Sequence, residues 1–343
     1  MNDIRKDKHN MIRILTYAPV PSDGTSFYRM SGVIHYLQKE HSDIYIKDIS
    51  GRQDCDWADY TGYDMVIFQR PFIEPHLRMI SMMKLIGLKI IIDYDDDILN
   101  IPMHNPYYIN YNNNKCNIES IIKMADEVWV STPDLKKTVV ELNKNVTVIP
   151  NAHNDYILPL NNKKEFNTAT KKVAYRGGTT HEMDVYSRID EWTSIVNKNK
   201  KTNFYFIGAR FPYLESKCDD NYLIVPGSHI LDYFRNMGSL NPNIFIYTLE
   251  DTQFNRAKSN ISWIEATYAG AAVLAPEYLS EFIRPGVINF NDSMEDIFNA
   301  VKKNYKLLKE MNEESWDYIQ NKLLLSTVNE KRYQSIVEVK NRK

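Results

Sequence analysis

Short β-rich runs alternate with amphipathic stretches along this chain; the alternation stops once and then starts again. MIRILTYAP (11–19) leads into SFYRMSGVIHYLQKE (26–40), whose Met30, Val33, Ile34 and Leu37 lie three and four apart, as on one helix face. Further strands are expected at 43–49, 63–70, 88–94, 127–131 and 145–150, with helices near 76–86, 118–125 and 133–143. The last of these helices opens on Ser131-Thr132-Pro133-Asp134, a hydroxyl cap followed by proline and an acid. Such alternation predicts a parallel sheet covered on both faces. From Leu158 to Lys172 the pattern lapses into a polar linker. It then restarts with strands at 172–177, 203–209, 222–227, 243–249 and 271–276. Helices are expected near 184–198, 229–238, 258–269, 293–309 and 313–340. The expected architecture is therefore α/β, with two parallel-sheet domains over 1–160 and 161–315. A C-terminal helix, about 315–343, is able to pack back on the first. Two such sheets would face each other across a cleft, with ligands beyond the carboxyl ends of the strands.

Composition narrows the function. The 343 residues carry 42 Lys and Arg against 44 Asp and Glu, a net charge of -2, so nothing draws the whole chain to a polyanion. Cys55, Cys116 and Cys218 are odd in number and far apart, which excludes a disulfide framework and a CxxC zinc site. The first ten residues are polar, and no apolar run reaches the ~20 residues of a membrane span. A cytoplasmic location is the expectation, with the inner membrane surface or a host cytoplasm as variants of it. His76, His104 and His229 show no metal-ligand spacing.

Two segments of the second half point to chemistry. In FNRAKSNISWIEATYAGAAVLAP (254–276), Lys258 and Glu265 are seven residues apart. On one helix this puts them within about 20° of each other and about 10 Å apart along the axis. Lys258, with the amides of Ser259 and Asn260 at the helix start, would neutralise phosphate charge. Glu265 would accept hydrogen bonds from two vicinal ribose hydroxyls. The same pattern also fits two solvated charges on an amphipathic helix. In KVAYRGGTTHEMD (172–184), a strand runs into Gly177-Gly178, then Thr179 and Thr180. Glycines let backbone amides turn toward an anion, and Arg176 and His181 lie in that turn. Simple loop geometry is the alternative there.

The order of these motifs resembles the group 1 glycosyltransferases, a large retaining family with the GT-B fold of two Rossmann-like domains. The resemblance runs from about Ile12 to Pro276. It takes in ILTYAPVPSDGTSFYRM, YDMVIFQRP, IIIDYDDDILNIP, ADEVWVSTPDLKKTVV, VTVIPNAHN, YRGGTTHEMD, FYFIGA and the 254–276 segment. It implies a nucleotide-sugar donor held mostly by the second domain and an acceptor held mostly by the first. Lys258 then falls where the family contacts the donor diphosphate, and Glu265 matches the ribose-binding second Glu of its Glu-x7-Glu motif. The first Glu of that motif is replaced by Ala257, which puts the identity of the sugar in doubt. The usual Arg and Lys of the diphosphate loop are represented by Arg176 and His181.

In the first domain, Asp95, Asp96 and Asp97 follow the strand KIIIDY. Three readings stand for them: contact with sugar or acceptor, structural capping, and a divalent metal site. Gly24, Arg29 and His153 are further candidates for the acceptor or sugar side. The reading that follows is a metal-independent transferase without cofactor. It passes a sugar, expected to be UDP-linked, to a saccharide, lipid-linked, protein or modified-base hydroxyl with retention. Lys258 and Arg176 would stabilise the leaving diphosphate, and Asp96 and Asp97 would orient sugar or acceptor. Two rivals remain: a DNA-modifying glycosyltransferase acting on a hydroxylated base, and a non-catalytic nucleotide-sugar-binding protein.

Overall fold

The computed structural model describes residues 11–51, 60–169 and 171–342. The polar N-terminal ten residues and Cys55 lie outside them. The chain packs as two compact units. One comprises residues 11–101, 107–154 and 325–342, and the other residues 102–106 and 155–324. Among the described residues, no helix is long and apolar enough to cross a membrane.

The first unit holds strands β1 (Ile12–Tyr17), β2 (Ile44–Asp48), β3 (Met65–Gln69), β4 (Lys89–Tyr94), β5 (Glu127–Val130) and β6 (Val146–Val148). They form one parallel sheet in the order β2-β1-β3-β4-β5-β6. The chain reverses its direction of winding between β1 and β3, so their carboxyl ends form the switch point. MVIFQ and EVWV are buried throughout, because helices cover both faces of a parallel sheet. The C-terminal helix Leu325–Asn341 belongs to this unit. Trp129 Nε1 donates to Ser335 Oγ (2.8 Å), and the Tyr333 hydroxyl donates to Asp43 Oδ2 (2.8 Å).

The second unit holds β7 (Lys172–Gly177), β8 (Asn203–Gly208), β9 (Tyr222–Pro226), β10 (Ile244–Ile246), β11 (Ala272–Pro276) and β12 (Val287–Phe290). Their order is β12-β11-β10-β7-β8-β9, with all described pairings parallel. Counted from β7 this is 3-2-1-4-5-6, the dinucleotide-binding order, with its switch point between β7 and β10. The core beneath it is aromatic: Trp192, Phe204, Phe206 and Phe211 are buried, and Trp192 meets Phe206 edge-on at 5.1 Å.

The structure departs from the sequence reading at several breaks. The expected helix 26–40 is two helices, Gly24–Arg29 and Ile34–Glu40. The first helix ends at Met30, and past the break Gly32 passes so close to Phe27 that a Cβ there would lie 2.2 Å from the Phe27 carbonyl oxygen, so only glycine fits. The expected C-terminal helix 313–340 breaks into Tyr305–Lys322 and Leu325–Asn341. β12 was not expected at all; its four residues at the sheet edge are too few to set a period.

Candidate functional site

The carboxyl end of β7 is built for close backbone approach. Gly177 pairs with Gly208 on β8, and Gly208 with Pro226 on β9. A Cβ on Gly208, whose φ is +105°, would lie 2.5 Å from the Gly177 carbonyl oxygen. A Cβ on Gly177 would crowd the Tyr175 hydroxyl and His181. Gly178 by contrast faces open space, and the short 3-10 turn Thr179–His181 follows it. A side chain at Gly208 would push β8 from β7 and one at Gly177 would displace Tyr175 and His181, whereas Gly178 leaves room for a ligand.

Arg176, one residue before this turn, reaches toward the helix Ile261–Tyr268. Its Nη2 lies 3.6 Å from Glu265 Oε1, and its guanidinium sits 5.5 Å from the centre of the Tyr233 ring. Tyr233, on the helix Ile230–Leu240, donates its hydroxyl to Glu265 Oε2 at 2.8 Å. Burial, followed by the Glu265 charge, holds the Tyr233 hydroxyl well above the usual phenol range, so it stays a donor. The Glu265 side chain is 1% exposed and Arg176 32%. A nearly dry carboxylate is thus held by one cation and one hydroxyl, which is the arrangement that makes a buried charge tolerable.

Behind this cluster, Asp184 ties the glycine turn to the segment after β10. His181 Nδ1 and Asp184 Oδ2 are 2.7 Å apart, and Asp184 Oδ1 accepts from the Glu250 amide and Asn255 Nδ2, both at 2.8 Å. Asp184 closed the motif YRGGTTHEMD, but no spacing marked it as this hub. Tyr233 was equally hidden, since its partner lies 32 residues away.

The Lys258–Glu265 geometry expected from a continuous helix is corrected. A short helix, Gln253–Arg256, ends at Ala257, and the next helix starts only at Ile261. Lys258 therefore sits in the break, with its Nζ 4.4 Å from the centre of the Phe254 ring and its amide donating to the Asn255 carbonyl. The two residues do not share a helical face. Asn260 is buried with its Nδ2 turned to Glu281 Oε2 (3.1 Å), and Ser259 precedes it in the same break. Ala257 is 2% exposed, so no carboxylate stands where the resemblance placed one.

In the first unit the structure divides the acidic triplet. Asp95 Oδ1 accepts from Arg70 Nε at 2.8 Å and Nη2 at 2.5 Å, and Asp96 Oδ2 lies 3.2 Å from the same Nη2. Arg70 stands at the carboxyl end of β3, beside the switch point, with a φ of +44° that is uncommon for a non-glycine residue. Burial works against the Arg70 charge, but Asp95 and Asp96 more than offset it, and its pKa rises further. Burial also pushes the Asp95 carboxyl up, with Arg70 opposing. Asp97 is 1% exposed and accepts from Asn100 Nδ2 (2.9 Å) and Thr138 Oγ1 (3.1 Å), so it braces the following turn. Among the described residues, no group of three or more His, Cys, Asp and Glu could hold a metal ion.

Arg29 and His153, expected on the acceptor or sugar side, are both buried inside the unit, and for Arg29 the partners are all internal. Arg29 makes a two-point pair with Asp93, Nε to Oδ1 and Nη2 to Oδ2, both 2.8 Å. Its Nη1 donates to the Ile149 carbonyl (2.6 Å) and Asn151 Oδ1 (3.1 Å). The His153 carbonyl receives the Leu325 amide at 2.8 Å, which anchors the start of the C-terminal helix. Gly24 opens the helix Gly24–Arg29, which Asp23 caps through the Ser26 amide (2.6 Å); its Cβ position is empty. His76 is buried, ringed by Tyr17, Phe68 and Phe72, and burial lowers its pKa to about 4.

Solved structures match this chain from end to end. Sucrose-phosphate synthase from Thermosynechococcus elongatus is 10% identical over 96% of this chain and 99% of that one, with a TM-score of 0.72. The fold is GT-B. The HepE protein of Anabaena, solved with UDP-glucose, is 11% identical over 96% of this GT-B chain and all of that one, at a TM-score of 0.66. A glycosyltransferase from Rickettsia africae is 14% identical over 97% and 100%, also at 0.66. No protein-family model matches the sequence, and no curated protein sequence does.

Proposed function

We propose that this chain is a glycosyltransferase that takes its sugar from a nucleoside diphosphate sugar, UDP-linked by preference, and passes it with retention to an acceptor hydroxyl. The observation that carries the reading is the Arg176–Tyr233–Glu265 cluster at the carboxyl end of β7, the strand flanking the switch point of a GT-B sheet. Neighbours of the same fold add support: one was solved with UDP-glucose, and another, from Burkholderia vietnamiensis, is a UDP-forming trehalose-phosphate synthase. In this reading Glu265 accepts from two vicinal ribose hydroxyls while Tyr233 and Arg176 fix its orientation. Arg176 becomes a positioning residue for Glu265 rather than a direct partner of the diphosphate. Lys258 and the amides of Gly178, Thr179, Ser259 and Asn260 then face the diphosphate.

As the bond from C1 to the diphosphate oxygen breaks, positive charge grows on the sugar ring and negative charge on the leaving group. A cation and oriented amides already in place stabilise that negative charge without reorganisation. We infer a reaction without a divalent metal, since the carboxylates best placed to offer one, Asp95 and Asp96, are engaged by Arg70. Within the first unit Asp96 has the more exposed carboxylate of the triplet, and it is the residue read here as orienting sugar or acceptor. The test is release of free nucleoside diphosphate from each candidate donor in the presence of mixed saccharide acceptors. The anomeric configuration of the product is then read by NMR. The buried Ala257 favours a second reading, a nucleotide-sugar binder without turnover, which predicts donor binding and no release.

A further inference from the structure

At the opposite end of the second unit's sheet the chain gathers lysines around a cavity. Three runs meet there: Lys171-Lys172 leading into β7, Asn197–Thr202 leading into β8, and Val301–Lys306 after the helix Met294–Val301. Together they hold eight lysines and no acid. The cavity has a volume of about 50 Å³, and its lining includes Lys171, Lys172, Lys302 and Lys303 above a floor of Val173 and Ile244. No Asp or Glu lines it. Each water needs roughly 10–15 Å³ by this measure, so the space suits a small tetrahedral oxyanion.

The cations are arranged for a ligand rather than for each other. Lys302 Nζ donates to Asn199 Oδ1 (2.7 Å) and Asn299 Oδ1 (2.5 Å), which fixes the ammonium and leaves its third proton for another acceptor. Lys171 and Lys303 have no acidic partner among the described residues. Burial, then the neighbouring Lys303 and Lys171, lower the Lys302 pKa, with Glu295 opposing. Lys198, Lys200 and Lys306 pair with Glu295, Asp219 and Glu310, none of which lines the cavity, so the charge that faces it is that of Lys171, Lys302 and Lys303. Lys172, the first residue of β7, donates its Nζ to the Leu240 carbonyl (2.8 Å) and so answers the C-terminal end of the helix Ile230–Leu240, whereas Lys171, just before the strand, has no such duty.

We propose that this pocket is a second anion site, for a phosphate group, separate from the donor site of the preceding reading. It lies at the amino ends of β7 and β10, roughly 16 Å along β7 from Gly177 by strand rise. The phosphate could be free or carried on a lipid headgroup, and the experiment separates the two. The intact chain is titrated with inorganic phosphate by calorimetry. In parallel it is sedimented with phosphatidylglycerol vesicles and with phosphatidylcholine vesicles. Binding in one arm is expected, weakened at least tenfold by Lys171→Gln/Lys303→Gln and by Lys302→Gln. A control of equal charge in the first unit, Lys115→Gln/Lys144→Gln, should bind as the parent does. The binding that Lys171→Gln/Lys303→Gln weakens should persist in a Lys258→Ala background, which keeps this result independent of the donor reading. No binding in either arm, unchanged binding by the lysine variants, or loss of that binding with Lys258→Ala would each overturn the proposal.

Discussion

The Arg29–Asp93 pair offers a direct test of the core of the first unit. Replacing Arg29 by Met keeps most of the side chain's volume but removes four hydrogen bonds, two to Asp93 and one each to the Ile149 carbonyl and Asn151. Both partners of the ion pair are 0% exposed, so water does not take the place of the guanidinium. Stripping the guanidinium leaves Asp93 to the buried Arg332, whose charge already acts on it, and takes away its hydrogen bonds. Losing one partner of a buried pair costs about 3–5 kcal/mol. That is a large share of the roughly 5–15 kcal/mol that holds a domain folded. Removing both charges, as Arg29→Met/Asp93→Leu, takes away the Asp93 carboxylate too and should recover most of the loss. Hydrogen exchange at the amides of β4 isolates this unit from the other. A loss of about 3 kcal/mol should raise opening there roughly a hundredfold in the single variant, with most of the protection restored in the double. A single variant within twofold of the parent would refute the claim that Arg29 is a core residue. A double variant worse than both singles would refute the pairing argument.

Four further outcomes follow from the same geometry. Lys258→Ala should lower turnover about a hundredfold, the ~3 kcal/mol expected for losing one preorganised cation at developing charge, while melting as the parent does. Asp97→Asn should leave turnover unchanged, since Asp97 braces a turn. Burial raises its pKa, so the ionised form weakens the fold above that pKa, and the Asn variant should melt no lower than the parent at pH 7. His76, with its pKa lowered from 6.5 to about 4, binds protons more tightly unfolded; its contribution is full above pH 6.5 and is lost as pH falls toward 4. Its loss amounts to about 3 kcal/mol at most, and His76→Phe should flatten that part of the stability profile. Treatment with EDTA should leave transfer nearly intact; complete loss that Mn²⁺ restores would overturn the metal-free mechanism.

Much of the fold was legible because parallel strands buried on both faces read as continuous apolar runs. MVIFQ and KIIIDY announce β3 and β4 without any tertiary information. Breaks within helices were not legible. The interruption at Met30 brings Gly32 back against Phe27, and the one at Lys258 follows a four-residue helix that ends at Ala257. Helical periodicity carries straight through both. The candidate site divided along similar lines. Glu265 and Gly177 stood in motifs whose residue types carry their chemistry. Arg70, Tyr233 and Asp184 did not, because their partners lie 25 to 71 residues away and only the folded sheet brings them together. Arg29 illustrates the opposite error: a basic residue after a glycine loop reads as a ligand contact, yet a buried carboxylate on β4 claims it.

The account stands most directly on whether the second unit binds a nucleotide sugar through Glu265. Calorimetric titration of UDP-, GDP-, ADP- and dTDP-sugars against the parent chain and Glu265→Gln measures this. One donor, the UDP-sugar by preference, should bind the parent with a Kd on the order of the 1 μM to 1 mM that enzyme KM values span. The variant should bind it at least tenfold more weakly, since one oxygen facing the ribose becomes an NH2 donor. If none of the four classes binds, or if the variant binds the same donor equally well, the proposed site is wrong.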